Sequence, residues 1–329
     1  LFRVNQIWNW LYVKGSKSFF EMNNLPNDLK TLLDSNFSIS LLEVKESYTS
    51  EDGTKKWLFK LKDKREIETV FIPEGKRGTI CVSSQVGCSL SCSFCHTGTM
   101  KLERNLELEE ILGQIITVKF FLEDWRKKTE EKKVTNIVFM GMGEPLLNYK
   151  NVISSIDKIT SKDGLGMSPK RITVSTAGIA NRIIRLADDE VKFNLALSLH
   201  AANDQKRNKI MPINESNSLE VLKKAMIYFF NKTQTRPTLE YIIFKDFNDE
   251  IKDAEELAEF CLSFPSKVNI IEYNPIDGGK YQQADEAKVD AFADYLESKN
   301  IIVNMRRSRG KDIDAACGQL ANKNKLTQS

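Results

Sequence analysis

Three cysteines within eight residues, Cys88-Ser-Leu-Ser-Cys92-Ser-Phe-Cys95, form the densest reactive group in the chain. Three thiolates on one short loop can ligate three irons of a cubane and leave the fourth iron open to a chelating ligand. A structural zinc site missing one ligand is the alternative. His96 directly abuts Cys95, whereas zinc ligand pairs are usually set further apart. A glycine-rich turn, Gly141-Met-Gly143-Glu144-Pro145, follows an apolar run at 136–140. It has neither the Lys-Ser/Thr of a P-loop nor the G-x-G-x-x-G spacing of a dinucleotide fold. Ser175, the triplet Ser198-Leu199-His200 and Asn274 each close a further strand-like run. Taken singly, His200 reads as a satisfied structural histidine; polar groups at so many strand ends point to a shared site.

Those ends meet only if the runs are neighbouring parallel strands. Strand-like runs at 79–82, 136–140, 171–174, 193–199, 238–244, 268–273 and 301–305 alternate with amphipathic stretches at 106–125, 152–160, 180–187, 219–230, 254–264 and 284–299. Repeated β-α units of this kind predict a parallel sheet, open or closed into a barrel, with the C-terminal strand ends gathered on one rim. The first ~45 residues have helical spacing at Ile7, Trp8, Leu11 and Tyr12. Runs around Trp57 and Val70 predict a two-stranded hairpin. The expectation is an α/β fold with a partial β/α barrel at 74–312, a helical and hairpin appendage at 1–73, and a C-terminal segment at 313–329 that is polar and mobile past Leu320.

Composition sets outer limits. The chain has 329 residues, 28% of them charged, and a formal net charge of +3, so overall charge does not announce a nucleic-acid binder. Arg306, Arg307, Arg309 and Lys311 nevertheless cluster where they can meet phosphates, or simply form a solvated surface. No run reaches the ~18 apolar residues of a membrane helix, and the N-terminus lacks a signal-peptide layout. Six cysteines in a chain this long are no disulfide framework, which predicts a reducing cytoplasm. The chain opens on Leu1 rather than Met, which puts the natural start upstream.

The remaining cysteines differ in kind. Cys261 shares an apolar helical face with Leu257 and Phe264 and reads as an inert core thiol. Cys81 precedes the trio by seven residues, and Cys317 sits in Asp312-Ile-Asp314-Ala-Ala-Cys317-Gly-Gln-Leu beside the arginine cluster, which favours a thiolate. The cysteine trio, with Phe94 before its last member, resembles the radical S-adenosylmethionine (SAM) superfamily. Its Gly-Met-Gly143-Glu144 turn resembles that superfamily's "GGE" element. Together with Cys81-Val-Ser-Ser-Gln-Val-Gly-Cys88, the Ser198-Leu-His200 segment, Met211-Pro-Ile-Asn214 and the Cys317 string, these motifs resemble the RlmN family along nearly the whole chain.

The resemblance implies an adenine-C2 methyltransferase acting on 23S rRNA and tRNA. It implies a [4Fe–4S] cluster on Cys88, Cys92 and Cys95, with SAM held by Gly143, Glu144, Ser175, Ser198, Leu199, His200 and Asn274. One SAM methylates Cys317; a second supplies a 5′-deoxyadenosyl radical that takes hydrogen from the S-methyl group, and the carbon radical adds to adenine C2. Glu68 matches the family's proton acceptor, although on its own it reads as an exposed strand carboxylate. Cys81 matches the thiol that releases the product by a transient disulfide with Cys317. Each turnover then needs two SAM and an electron donor such as flavodoxin. A Cfr-type adenine-C8 enzyme, which confers antibiotic resistance, is the nearest alternative. The appendage and the stretch at 306–311 are the candidate RNA grips.

Overall fold

The computed structural model describes residues 2–125 and 131–322. Its centre is a ten-stranded sheet in the order β1-β2-β3-β4-β7-β8-β9-β10-β11-β12. β4 (Arg77–Cys81), β7 (Asn136–Phe139), β8 (Ile172–Thr176), β9 (Asn194–Ser198), β10 (Thr238–Ile243), β11 (Lys267–Glu272) and β12 (Ile302–Arg306) run parallel. Strand residues Ile80, Val174, Leu197, Leu239 and Ile270 join helix residues such as Ile183, Leu222 and Leu257 in one apolar core. Helices α4 (Leu108–Phe121), α5 (Tyr149–Thr160), α6 (Ala180–Asp188), α8 (Leu219–Thr233), α9 (Ile251–Cys261) and α10 (Glu286–Ser298) are the crossovers that parallel strands require. Each buries an apolar stripe against the sheet, as α5 does through Val152, Ile156 and Ile159. Phe139 on β7 and Arg306 at the far edge on β12 touch one cavity, so the sheet curls into a partial barrel.

The amino-terminal strands are part of this sheet. β1 (Glu43–Thr49), β2 (Lys55–Lys60) and β3 (Glu66–Glu74) form an antiparallel meander, and β3 pairs with β4 from Val70↔Cys81 to Glu74↔Arg77. The sequence boundary at 73/74 therefore falls inside β3, and a strand ladder joins the appendage to the barrel. β1 is an extra strand beyond the expected hairpin. Its residues, Glu-Val-Lys-Glu-Ser-Tyr-Thr, alternate between exposed and half-buried positions without an apolar run, as suits an edge strand. Ahead of it, α1 (Phe2–Tyr12) and α2 (Asn27–Asn36) close over a small separate core of Trp10, Phe19, Met22 and Leu25. Among the described residues no helix is long and apolar enough to cross a membrane. The tail beyond Asn322 lies outside the described residues.

Candidate active site

The cysteine loop leaves the small ladder of β5 (Gln85–Val86) and β6 (Arg104–Asn105) through Gly87. Gly87 has φ +74°, and a Cβ there would stand 2.0 Å from the Lys101 carbonyl oxygen, so no other residue fits the exit. The loop is then pinned to the barrel. Ser93 N donates to the Ile210 carbonyl at 3.0 Å, and the Phe94 ring lies edge-on to His200 at 4.7 Å and 5.7 Å from Phe244. Cys88, Cys92 and Cys95 all line one cavity, of about 930 Å³ of empty space including its mouth, large enough for a nucleoside-sized ligand. Among the described residues no three His, Cys, Asp or Glu side chains are grouped to hold a single metal ion. Burial pushes the Cys88 thiol up to about 11 and also raises Cys92 and Cys95. Loading iron on these sulfurs must therefore expel protons.

The same cavity collects the strand ends. Gly143, at φ +94°, passes so close to Gln85 that a Cβ would meet its side chain at 2.4 Å. That approach lets Gln85 Oε1 accept from Glu144 N at 2.8 Å. The Glu144 carboxylate is buried and accepts from Ala177 N (2.8 Å) and Leu146 N (3.0 Å). Burial raises it to about 7 despite those bonds, which suits a group awaiting a cationic partner. Ser175 and Ser198 Oγ atoms face each other at 3.3 Å on the cavity wall. His200, in the left-handed region at φ +56°, accepts from Ile242 N at Nδ1 (3.1 Å), so its Nε2 carries the ring hydrogen.

Two residues expected to hold SAM, Leu199 and Asn274, do not line the cavity. The Leu199 side chain is wholly buried in the core. Asn274 turns its amide to Ser308 Oγ (2.9 Å) and the Cys317 carbonyl (3.3 Å), so it fixes the Cys317 loop.

Burial also drives His200 down to about 3, with Arg207 adding to the effect. Its folded value lies below its unfolded one, so the stabilising contribution is complete above about pH 6.5 and is lost as pH falls towards the folded value. The apo-protein is therefore expected to lose stability below pH 6.5 by up to about 1.4 kcal/mol per pH unit from this group. His200→Asn, whose amide oxygen can still accept from Ile242 N, should show a visibly shallower loss in urea titrations at pH 5 to 7. Parallel curves for both proteins would refute the assignment.

Beyond β12 the chain crosses back over the cavity as an irregular strap carrying Cys317. His96 N donates to the Gly318 carbonyl (2.7 Å) and Thr97 Oγ1 to that of Leu320 (2.7 Å), which ties the strap to the cysteine loop. Ser50 Oγ donates to Asp312 Oδ1 at 2.5 Å and Gly310 N to Asp52 Oδ2 at 2.9 Å, which ties it to the β1–β2 turn. Ala321 N donates to Glu68 Oε2 at 2.7 Å. Cys317 is exposed and lines the cavity; desolvation by the surrounding protein raises its thiol, Arg306 opposes the shift and Glu240 reinforces it. Cys81, at the end of β4, is pushed up to about 12 by burial, and the charge on a Cys317 thiolate adds to the shift. Glu68 is buried behind the strap, not exposed on its strand.

Three charged residues at this site, Arg207, Lys56 and Glu240, escape a reading by sequence, and Arg306 makes a contact that the sequence does not show. Arg207, in α7 (Asp204–Ile210), is fully buried and donates to the carbonyls of Leu199 (3.0 Å), Ala177 (2.6 Å) and Ser198 (3.1 Å) and to Asn214 Oδ1 (2.7 Å). Lys56 is buried against Glu68 at 3.0 Å. Glu240 lines the cavity with Oε2 lacking a hydrogen-bond partner, and Arg306, expected at the RNA surface, reaches to 3.8 Å from it. Charged types read as surface by default, even Glu240 within an apolar run; Met211-Pro-Ile-Asn214, beside Arg207, carried a hint.

Known proteins share this chain's fold and much of its sequence. A model of the radical SAM superfamily matches residues 82–261, and one of the ribosomal RNA large subunit methyltransferase N-terminal domain matches residues 1–39. A solved radical SAM methyltransferase from Sphaerobacter thermophilus superposes with a TM-score of 0.92 at 35% identity, over 98% of this chain and 93% of that one. Fold and cysteine loop thus define a radical SAM methyltransferase, a class that works with a [4Fe–4S] cluster and SAM. The chain is 52% identical over 320 residues to the probable dual-specificity RNA methyltransferase RlmN of Cytophaga hutchinsonii, covering 97% of this chain and 87% of that protein. It is 44% identical over 333 residues to the dual-specificity RNA methyltransferase RlmN of Sinorhizobium fredii, covering 97% and 81%. The chain belongs to the RlmN family of RNA methyltransferases, which favours that reading over the Cfr-type alternative.

Proposed function

We propose that the protein methylates C2 of adenine in 23S rRNA and tRNA, with Cys317 as methyl carrier, Cys81 as the releasing thiol and Glu68 as proton acceptor. The observation that carries this reading is the position of Cys317, on a strap facing the cavity of Cys88, Cys92 and Cys95 while tied to Glu68. Cys88, Cys92 and Cys95 would hold the cluster, and Gly143, Glu144, Ser175, Ser198 and His200 would line the SAM site. When bound, the cluster and two SAM per turnover supply one-electron cleavage and the methyl group.

The chain's own residues do the rest. Glu144 offers its carboxylate to the ammonium of SAM. Arg306 offsets part of the desolvation that disfavours the Cys317 thiolate needed to accept a methyl group. Glu68 takes the C2 proton from the RNA adduct. The adduct would give up its unpaired electron to the cluster. Cys81 as a thiolate then attacks the Cys317 sulfur, and the carbon–sulfur bond breaks with its electron pair going to the methylene carbon. That carbon takes up a proton to become the C2 methyl group, and a disulfide is left for an external reductant to reopen. Residues 1–73 would serve as the accessory RNA-contacting unit, 74–312 as the barrel and 313–329 as the carrier segment, in a cytoplasmic enzyme. Anaerobic turnover of unmodified 23S rRNA and tRNA, followed by nucleoside mass spectrometry, should yield 2-methyladenosine. Finding 8-methyladenosine would move the chemistry to C8; finding neither, with SAM still cleaved, would sink the substrate assignment.

A further inference from the structure

Cys317 hangs between two tethers that meet in one buried ion pair. Lys56 on β2 donates to the Asp314 carbonyl at 3.1 Å, three residues before Cys317. Its ammonium lies 3.0 Å from Glu68 Oε1, with the two side chains 3% and 1% exposed. Glu68 Oε2 in turn accepts from Ala321 N at 2.7 Å, four residues after Cys317. The backbone beneath is held as well: Ser83 Oγ donates to the Glu68 carbonyl (2.6 Å), and Asn322 Nδ2 donates to that of Glu66 (2.7 Å). A carboxylate out of water needs a counter-charge, and Lys56 supplies it. A buried ion pair is weak evidence of stability, because desolvation offsets the attraction, and its better-attested use is to fix register. Here the register is that of the methyl-carrying strap over the base.

We propose that Lys56 is a positioning residue for the release half of the reaction, holding the Glu68 carboxylate and the Cys317 strap in place until the proton is taken. The proposal rests on Glu68 as proton acceptor. When Glu68 receives the C2 proton, the C–H bond breaks, its electrons stay with the adduct, and the carboxyl becomes neutral. The attraction of Lys56 is lost at that moment, and the hold on Ala321 N falls from a charge-assisted to an ordinary hydrogen bond. The strap thus loosens at the step where Cys317 must turn towards Cys81.

The test uses cluster-loaded full-length protein with Lys56→Met, Lys56→Arg and Glu68→Gln. One readout is methylation of Cys317 by SAM without RNA or reductant, from the mass of the Cys317 peptide. The other is the RNA–protein adduct on denaturing gels after turnover. Lys56→Met should methylate Cys317 within about 3-fold of wild type yet release 2-methyladenosine roughly 30-fold more slowly, with adduct accumulating. Lys56→Arg should recover most of the release. Wild-type release by Lys56→Met, or an equal fall in both readouts without adduct, would overturn the proposal. Glu68→Gln reads the underlying assumption separately: normal release by that variant ends the Glu68 role, whatever Lys56→Met does.

Discussion

Cys317→Ala is expected to lose at least about 10³-fold of 2-methyladenosine formation while keeping its fold and its iron. The Cys317 thiol faces the cavity, and the bonds that fix this stretch run through backbone atoms: its own carbonyl to Asn274 and that of Gly318 to His96 N. Alanine keeps both bonds, so the loss is chemical and not structural. Cys81→Ala should behave differently. Its thiol lies in the core beside Val82 and Val138, and removing one buried sulfur costs little stability compared with a large core truncation. The variant should still load a methyl group and attack the base, then stall as an RNA–protein adduct. Nucleoside mass spectrometry and denaturing gels separate the two outcomes. Appreciable product from Cys317→Ala would contradict the carrier role, and free release by Cys81→Ala would contradict the resolving role.

Arg207→Met should destabilise the apo-protein by about 3–5 kcal/mol, among the largest effects of any single substitution outside the reacting groups. Arg207 joins the ends of two neighbouring strands and the following loop through Ala177, Ser198, Leu199 and Asn214. Methionine would leave those buried oxygens without donors. Burial lowers Arg207 to about 10, and the charges that pull it back up are Cys92 and Asp204. The guanidinium therefore also offsets a thiolate at the cluster site, and iron loading should fall in the same variant. Arg207→Lys should recover only part, because one ammonium cannot span the fork that these four oxygens require. Anaerobic urea denaturation measures the first effect and iron content the second. A loss under about 1 kcal/mol would show that the network is dispensable.

The parts of this protein that can be read in sequence are those whose meaning is local. The cysteine trio and the Gly-Met-Gly143-Glu144 turn each act within a few residues, and the parallel strands announce themselves as apolar runs between amphipathic helices. What stays hidden depends on distance along the chain. Glu68 looks like an exposed strand carboxylate because nothing near it in sequence reveals that Lys56 and Ala321 close over it. Arg306 looks like a surface cation, yet the curl of the sheet turns it back towards Glu240. Asn274 follows its strand as expected, but the group its amide holds, the Cys317 carbonyl, arrives 43 residues later. β1 escapes notice because an edge strand with one solvated face needs no apolar run.

Methyl transfer through Cys317 is the step on which the proposed chemistry depends, and an isotope experiment addresses it directly. Cluster-loaded enzyme is charged with trideuteromethyl SAM in the absence of RNA, freed of excess SAM, and then given unlabelled SAM, reductant and RNA for a single turnover. Deuterium is expected on the Cys317 peptide before RNA is added, and then in the first 2-methyladenosine formed. A first product free of deuterium, made while the label remains on Cys317 or never reached it, would contradict transfer through this thiol.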